Sequence, residues 1–179
     1  MKKALNAWSV PGDTGFEDMF AALSAEGFEG IELNLESGGL HSLTMETGRE
    51  ELKRIKELSE KYSLPVHSIS SSLGGKTGSD DADVRAFQKE VILRQIEFAR
   101  ELGADGILTV PGGMSQSVSL LAAHENSLRL YGELKRDIED AGVYVGVENV
   151  WNGFFTSPFH MKSFIEELSC PFIGAYLDV

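Results

Sequence analysis

Three stretches of the chain repeat one phrase. SAEGFEGIEL (24–33), RELGADGILTV (100–110) and EDAGVYVGVEN (139–149) each close a helical pattern with a glycine suited to a left-handed cap, then enter a short β-branched run. Amphipathic segments precede these runs: Phe16, Met19, Phe20 and Leu23; Leu52, Ile55 and Tyr62; Val84, Phe87, Val91 and Leu102; Tyr131, Leu134, Ile138 and Ala141. A fifth, TSPFHMKSFIEEL, has Ser157 placed as N-cap, Pro158 at the first helical position, and Phe164, Ile165 and Leu168 on its apolar side. Between them lie six expected strands, at about 3–8, 30–35, 64–70, 105–110, 143–149 and 172–178. Strict alternation of strand and helix implies βαβ units with right-handed crossovers and a parallel sheet, either open and doubly wound or curled into a barrel.

The 179 residues, 42% of them hydrophobic, suffice for one packed domain, and no Pro-, Ser- or Gly-rich linker divides them. A net charge of −12, with sixteen scattered Lys and Arg, argues against nucleic acid, which is bound through clustered cations. An acidic chain still binds a phosphorylated metabolite where a metal or a nest of backbone N–H groups supplies the positive field. Cys170 is alone, which fits a reducing compartment. MKKALNAWSVPGD is too quickly interrupted for a signal peptide, and nowhere do about eighteen apolar residues run together. A cytoplasmic protein without a membrane partner is expected.

The loop LGGKTGSDD (73–81) carries a decoy. GGKTG after a strand is like a phosphate-binding loop, but that motif needs a glycine where this chain has Ser70, so a plain loop ahead of a helix capped near Asp80 or Asp81 is expected. No GxGxxG occurs.

Two acids are harder to set aside. Alternation puts Val143, Val145 and Val147 on one face of the fifth strand and Tyr144, Gly146 and Glu148 on the other. In the sixth strand Ile173, Ala175 and Leu177 match the valines, leaving Gly174, Tyr176 and Asp178 opposite. Glu148 and Asp178 then share a face and a level at C-terminal strand ends, where α/β folds place their sites. Adjacent strands lie roughly 4.8 Å apart, so two carboxylates converge on one cation, the usual remedy for a pair of buried acids.

GIELNL, VENVWNGFFTSP and FIGAYLDV resemble the second, fifth and sixth strands of the xylose-isomerase-like sugar phosphate isomerases and epimerases. The similarity is greatest to members described as L-ribulose-5-phosphate or L-xylulose-5-phosphate 3-epimerases or hexulose-6-phosphate isomerases. It runs over the whole chain, and the fifth- and sixth-strand motifs are its most specific part. The resemblance implies a (β/α)₈ TIM barrel, here with about six strands and five helices, so that residues 1–179 form a single, incomplete barrel domain. Such a barrel usually needs about 250 residues, and the chain is therefore expected to be cut short after its sixth strand.

The resemblance also implies one divalent ion, Mn²⁺ or Mg²⁺ with Zn²⁺ as a further choice, held by Glu148, Asp178, and a His and a Glu with no counterpart here. Its chemistry is proton abstraction from a ketose phosphate through an enediolate, with Glu148 both ligand and base. Two bases on opposite faces invert a centre; Glu148 alone would exchange a proton on one face. Other readings of the same barrel are a hydroxypyruvate isomerase, an inosose dehydratase or an endonuclease acting at abasic sites, the last opposed by the negative charge and the four scattered His. A non-catalytic barrel fragment is the remaining alternative. Exposed strand edges would favour a homo-oligomer.

Three further residues are candidates for contact with a sugar or sugar phosphate. His67, in PVHSIS, shares a face with Ile69 and would reach substrate or metal-bound water if that face points inward; a hydrogen-bonded structural histidine competes. Trp8, ending the first strand, and Trp151, just past Glu148, would wall the pocket, though packing explains either as well. Glu32 and Asn34 alternate with Ile31 and Leu33, which leaves interior and paired structural roles both open. His41, His124 and His160 have weaker cases, and a tight turn accounts for the glycines of TVPGG (109–113) as readily as a ligand does.

Overall fold

The computed structural model describes residues 2–177, so Asp178 lies outside the described residues. The elements run β1 (Ala4–Asn6), α1 (Phe16–Ala25), β2 (Gly30–Leu35), α2 (Arg49–Lys61), β3 (Val66–Ser71), α3 (Ala82–Leu102), β4 (Gly106–Thr109), α4 (Leu120–Ala141), β5 (Tyr144–Glu148), α5 (Pro158–Leu168) and β6 (Ile173–Tyr176). Local chemistry sets these bounds. Asp81 and Ser157 accept backbone N–H groups as the N-caps of α3 and α5, and Gly103 and Gly142 end α3 and α4 at φ of 74° and 64°. β1 stops short of its expected end at residue 8, because the Asn6 side chain accepts the Trp8 N–H and turns residues 7–9 into a single 3₁₀ turn.

All six strands pair in parallel, in the order β1-β2-β3-β4-β5-β6. Every right-handed crossover thus moves one strand further in the same direction, and all five helices fall on one face, each packed on the next. A doubly wound sheet would reverse its order; this one winds a single way, as a barrel does. Closure is visible in one contact. β2 and β6 would lie roughly 19 Å apart in a flat sheet, four spacings of about 4.8 Å. Yet the Tyr176 hydroxyl of β6 is 3.2 Å from Glu32 Oε2 on β2. The sheet is therefore a curled arc.

The core fills the space between strands and helices. Ile31, Leu33, Leu35, Ile69, Ile107, Val145, Val147 and Ile173 face Met19, Phe20, Ile55, Phe98, Tyr131, Leu134 and Phe164. Valines 143, 145 and 147 lie in this layer as their alternation requires. Phe87 does not join the core; it is 42% exposed on α3, at a groove beside the β3–α3 loop.

Candidate active site

The opposite face of the sheet is the interior of the arc. Two halves of it differ in content. On β1 to β3 the inward positions carry Asn6, Glu32, Asn34, Ser68 and Ser70, and they satisfy one another. Asn6 Nδ2 and Ser68 Oγ each donate to Glu32 at 2.5 Å, and Ser70 Oγ is in hydrogen-bond contact with the Asn34 side-chain amide at 2.6 Å. At the carboxyl end of this half, Trp8 Nε1 and Ser42 Oγ donate to the two oxygens of Glu36, each at 2.5 Å. On β4 to β6 the inward positions carry Gly106, Gly146 and Gly174, with Leu108, Tyr144, Tyr176 and Glu148. The missing side chains leave a hollow of about 380 Å³, lined by His67, Ser68, Tyr144 and Tyr176 among others.

Glu148 ends β5, half-buried, beyond the residues that line this hollow, and pairs in register with Tyr176 of β6, which lines it. The Tyr176 ring lies against Gly146, where a Cβ would come within 2.9 Å of its Cδ2. Burial, then the neighbouring Glu32 carboxylate, push the Tyr176 phenol up to about 12, with Glu148 adding a smaller push in the same direction. The phenol is thus a stable donor at neutral pH, stretched across the interior onto Glu32.

The expected sugar-contact residues do not gather at one point. Trp8 sits at the carboxyl end of β1, half exposed, with its indole N–H held by Glu36. Trp151 lies past the carboxyl end of β5, three residues after Glu148, and is 99% exposed. His67 lies at the other end of the arc. A register shift between Ile31 and Glu32 makes it a bulge residue, so Ile69 enters the core while the His67 ring covers Gly30. The residue after it, Ser68, pairs with Gly106, the first residue of β4, and Gly106 pairs with Tyr144, the first residue of β5. Glu148, four residues further on, is roughly 13 Å away along the strands. His67 Nδ1 stands 3.9 Å from Asp105, and its Nε2 is buried without a partner among the described residues.

The other candidates have structural partners. Thr77 of the decoy loop is buried, its hydroxyl 2.8 Å from Ser127 on α4, and so is engaged in packing. His41 Nδ1 is 2.8 Å from the Thr14 carbonyl, joining the β1–α1 and β2–α2 loops. His124 Nδ1 and His160 Nε2 are 3.0 Å apart, stacked inside a box of Phe154, Phe155 and Phe164, with Glu167 3.9 Å from His124 Nε2. Burial, and then His124, hold His160 below the usual histidine range. Neither the Glu36 clamp nor this histidine pair has a local sequence signal, because both join residues far apart in the chain.

As a cation site, the arc offers hard oxygen donors and no Lys or Arg on any of its six strands. That donor chemistry suits Mg²⁺ or Mn²⁺. Among the described residues no three His, Cys, Asp or Glu side chains come together around one point.

Known proteins place this architecture. With TM-scores of 0.79, 0.80 and 0.77 the chain superposes on a 3-keto-D-glucoside 4-epimerase from E. coli, a D-tagatose 3-epimerase-like protein and a family 2 AP endonuclease from Brucella melitensis, at 16%, 20% and 14% identity. These likenesses cover 98%, 98% and 100% of this chain but 67%, 64% and 69% of the others, so it spans about two thirds of their length. At such identities they carry the fold. No curated protein matches the chain. The model of the xylose isomerase-like TIM barrel matches residues 12–179, nearly the whole sequence, and the chain belongs to that family.

Proposed function

We propose that the protein is a divalent-metal-dependent isomerase or epimerase of a ketose, with a ketose phosphate as the first substrate to test. The observation that carries this reading is the half-buried Glu148 at the carboxyl end of β5, in register with Tyr176, whose ring walls a hollow lined by hydroxyl and carboxylate oxygens. Sugar epimerases among the structural neighbours agree with it. Glu148 and Asp178 would hold the ion, Mn²⁺ or Mg²⁺ by donor chemistry, with Zn²⁺ a poorer match to an all-oxygen set. When bound, the ion supplies Lewis-acid polarisation of the keto oxygen and its neighbouring hydroxyl.

The chain's own residues do the rest. Glu148 takes the carbon-bound proton next to the carbonyl on the face it meets, and returns it to the same face, so hydrogen exchange is the activity this carboxylate supports unaided. The Tyr176 phenol, fixed between Gly146 and Glu32, walls the hollow beside Glu148. Trp8 and Trp151, both exposed past carboxyl strand ends, would flank a sugar at the mouth. His67 lines the same hollow at the amino ends of the strands, and a contact of His67 with substrate there is part of this proposal.

Incubation of the protein with Mn²⁺ and a ketose phosphate in D₂O tests this directly. Deuterium is expected at C3, and Glu148→Gln is expected to lower the exchange rate by about 10³-fold or more. Exchange that survives Glu148→Gln, or that wild-type protein fails to show with both phosphorylated and free ketoses, overturns the reading. Residues 2–177 leave β1 and β6 as sheet edges, so association of copies is a companion expectation, read as a sedimentation mass above 19.6 kDa.

A further inference from the structure

Trp151 presents a physical puzzle. An indole 99% exposed would ordinarily sit on a loose loop, but this one is flanked by fixed points on both sides. Three residues before it is Glu148, paired into the sheet; three and four residues after it are Phe154 and Phe155, buried between α4 and α5. The residue that follows it, Asn152, is pinned twice. Its Nδ2 donates to the Pro111 carbonyl of the β4–α4 loop at 2.8 Å, and its Oδ1 accepts the Phe154 N–H at 3.0 Å.

That anchor is itself built into a larger contact. The Gly78 N–H of the β3–α3 loop donates to the Gly112 carbonyl at 2.6 Å, and the Gly112 N–H donates to Thr77 Oγ1 at 3.4 Å. A Cβ on Gly112 would lie 2.5 Å from the Gly75 carbonyl oxygen and 2.8 Å from Asn152 Nδ2, so only glycine lets the three loops meet. The glycines of GGKTG and PGG thus serve a backbone-to-backbone clasp at the carboxyl ends of β3, β4 and β5, and Asn152 is the side chain that ties the β5–α5 loop into it.

We propose that Asn152 is a positioning residue that presents the Trp151 indole as a preset wall for the apolar face of a sugar held near Glu148. The inference rests on the sugar-site reading above. An aromatic face held still offers stacking area without the ordering loss that a free loop would carry on binding. The Asn152 amide fixes the backbone that carries the indole in two separable parts: the donation to Pro111 ties the loop to its neighbour, and the acceptance from Phe154 shapes the turn. Asn152→Asp keeps the second and sets oxygen against oxygen in the first.

The chain has two tryptophans, so Trp8→Phe leaves Trp151 as the sole reporter. In that background, with Mg²⁺ present, D-fructose is expected to shift Trp151 emission and to protect it from acrylamide. Adding Asn152→Ala or Asn152→Asp should raise the half-saturating sugar concentration about tenfold and lower the indole's anisotropy, with far-UV circular dichroism unchanged. Should Asn152→Ala unfold the protein, Asn152→Asp, the smaller change, decides the outcome. Equal sugar affinity in the background and the Asn152 variants overturns the role of Asn152 while leaving the sugar site standing. No response of Trp151 to D-fructose, D-tagatose or their phosphates while the wild-type protein still exchanges deuterium into a ketose overturns this inference and leaves the sugar site standing; no response together with no exchange overturns both.

Discussion

The two halves of the arc hold their shape by opposite means. β1 to β3 are braced from inside, where Asn6, Ser68 and Tyr176 converge on Glu32 and Ser70 on Asn34. β4 to β6 are hollow inside, and their loops are held from outside and above by the aromatic box around His124 and His160 and by the clasp at Gly112. A polar interior that is fully hydrogen-bonded is a rigid scaffold but has few unsatisfied groups for a ligand. An interior emptied of side chains is a place where a ligand fits. The division of labour puts the candidate base, Glu148, on the hollow side and leaves the filled side to set the curvature.

The largest expected effect tests the inner brace. Glu32→Ala removes the acceptor of three donors at once, and each buried polar group left unpaired costs about 1–3 kcal/mol. We expect a loss of about 3 kcal/mol in urea unfolding at neutral pH. A loss under about 1 kcal/mol would mean that the network around Glu32 does not carry the curvature, and the comparison of the two halves would fail.

Gly146→Ala comes next, because it attacks the one strut that crosses from the hollow half to the filled half. The new Cβ would meet Tyr176 Cδ2 at 2.9 Å and its Cβ at 3.0 Å. Overpacking of this kind costs about 1–3 kcal/mol. Tyr176 can escape only by swinging its hydroxyl off Glu32, so Gly146→Ala and Tyr176→Phe should be less than additive in a double-mutant cycle. Strict additivity would separate the ring's packing from the hydroxyl's bond and show that the strut is not one unit.

Acid should loosen the hollow half first. The native fold holds His160 neutral, and its depressed pKa means that the stability it contributes is complete above the unfolded value of about 6.5 and is lost as pH falls through the folded one. Proton uptake there adds a charge 3.0 Å from His124, with Glu167 as the facing acid. Between pH 7 and pH 5 the thermal midpoint is expected to fall, and His160→Gln to flatten that fall. An acid limb unchanged in His160→Gln would relocate the sensitivity to the carboxylates of the filled half.

Much of this was legible in the residues. β2 was bounded correctly because Gly30 and the polar Glu36 frame an apolar alternation, and the valines of β5 put Glu148 and Tyr144 on the inner face. Ser157 and Pro158 fixed the start of α5. His67 does not share the face of Ile69, for a definite reason: a single bulge between Ile31 and Glu32 breaks the two-residue period on which facing arguments rest, and no local residue type announces it. The Glu36 clamp, the His124–His160 pair and the three-loop clasp escaped because each depends on register or on contacts between loops dozens of residues apart. Asp178, placed beside Glu148 by the same alternation, lies outside the described residues.

The smallest expected effect distinguishes two meanings of the hollow. Gly174 sits beside Gly146 in register, yet a Cβ built on it meets nothing within 4 Å. Gly174→Ala removes backbone freedom from the unfolded chain and adds one methyl to open space, so the fold should gain about 0.5 kcal/mol. If the hollow is only spare volume, that gain is the whole effect and proton exchange on a ketose stays at its wild-type rate. If substrate occupies it, the same methyl narrows the space beneath Glu148 and exchange falls although the protein is more stable. Opposite signs in stability and activity at Gly174, against parallel losses at Gly146, would mark the hollow as the substrate's space and the Tyr176 strut as its floor.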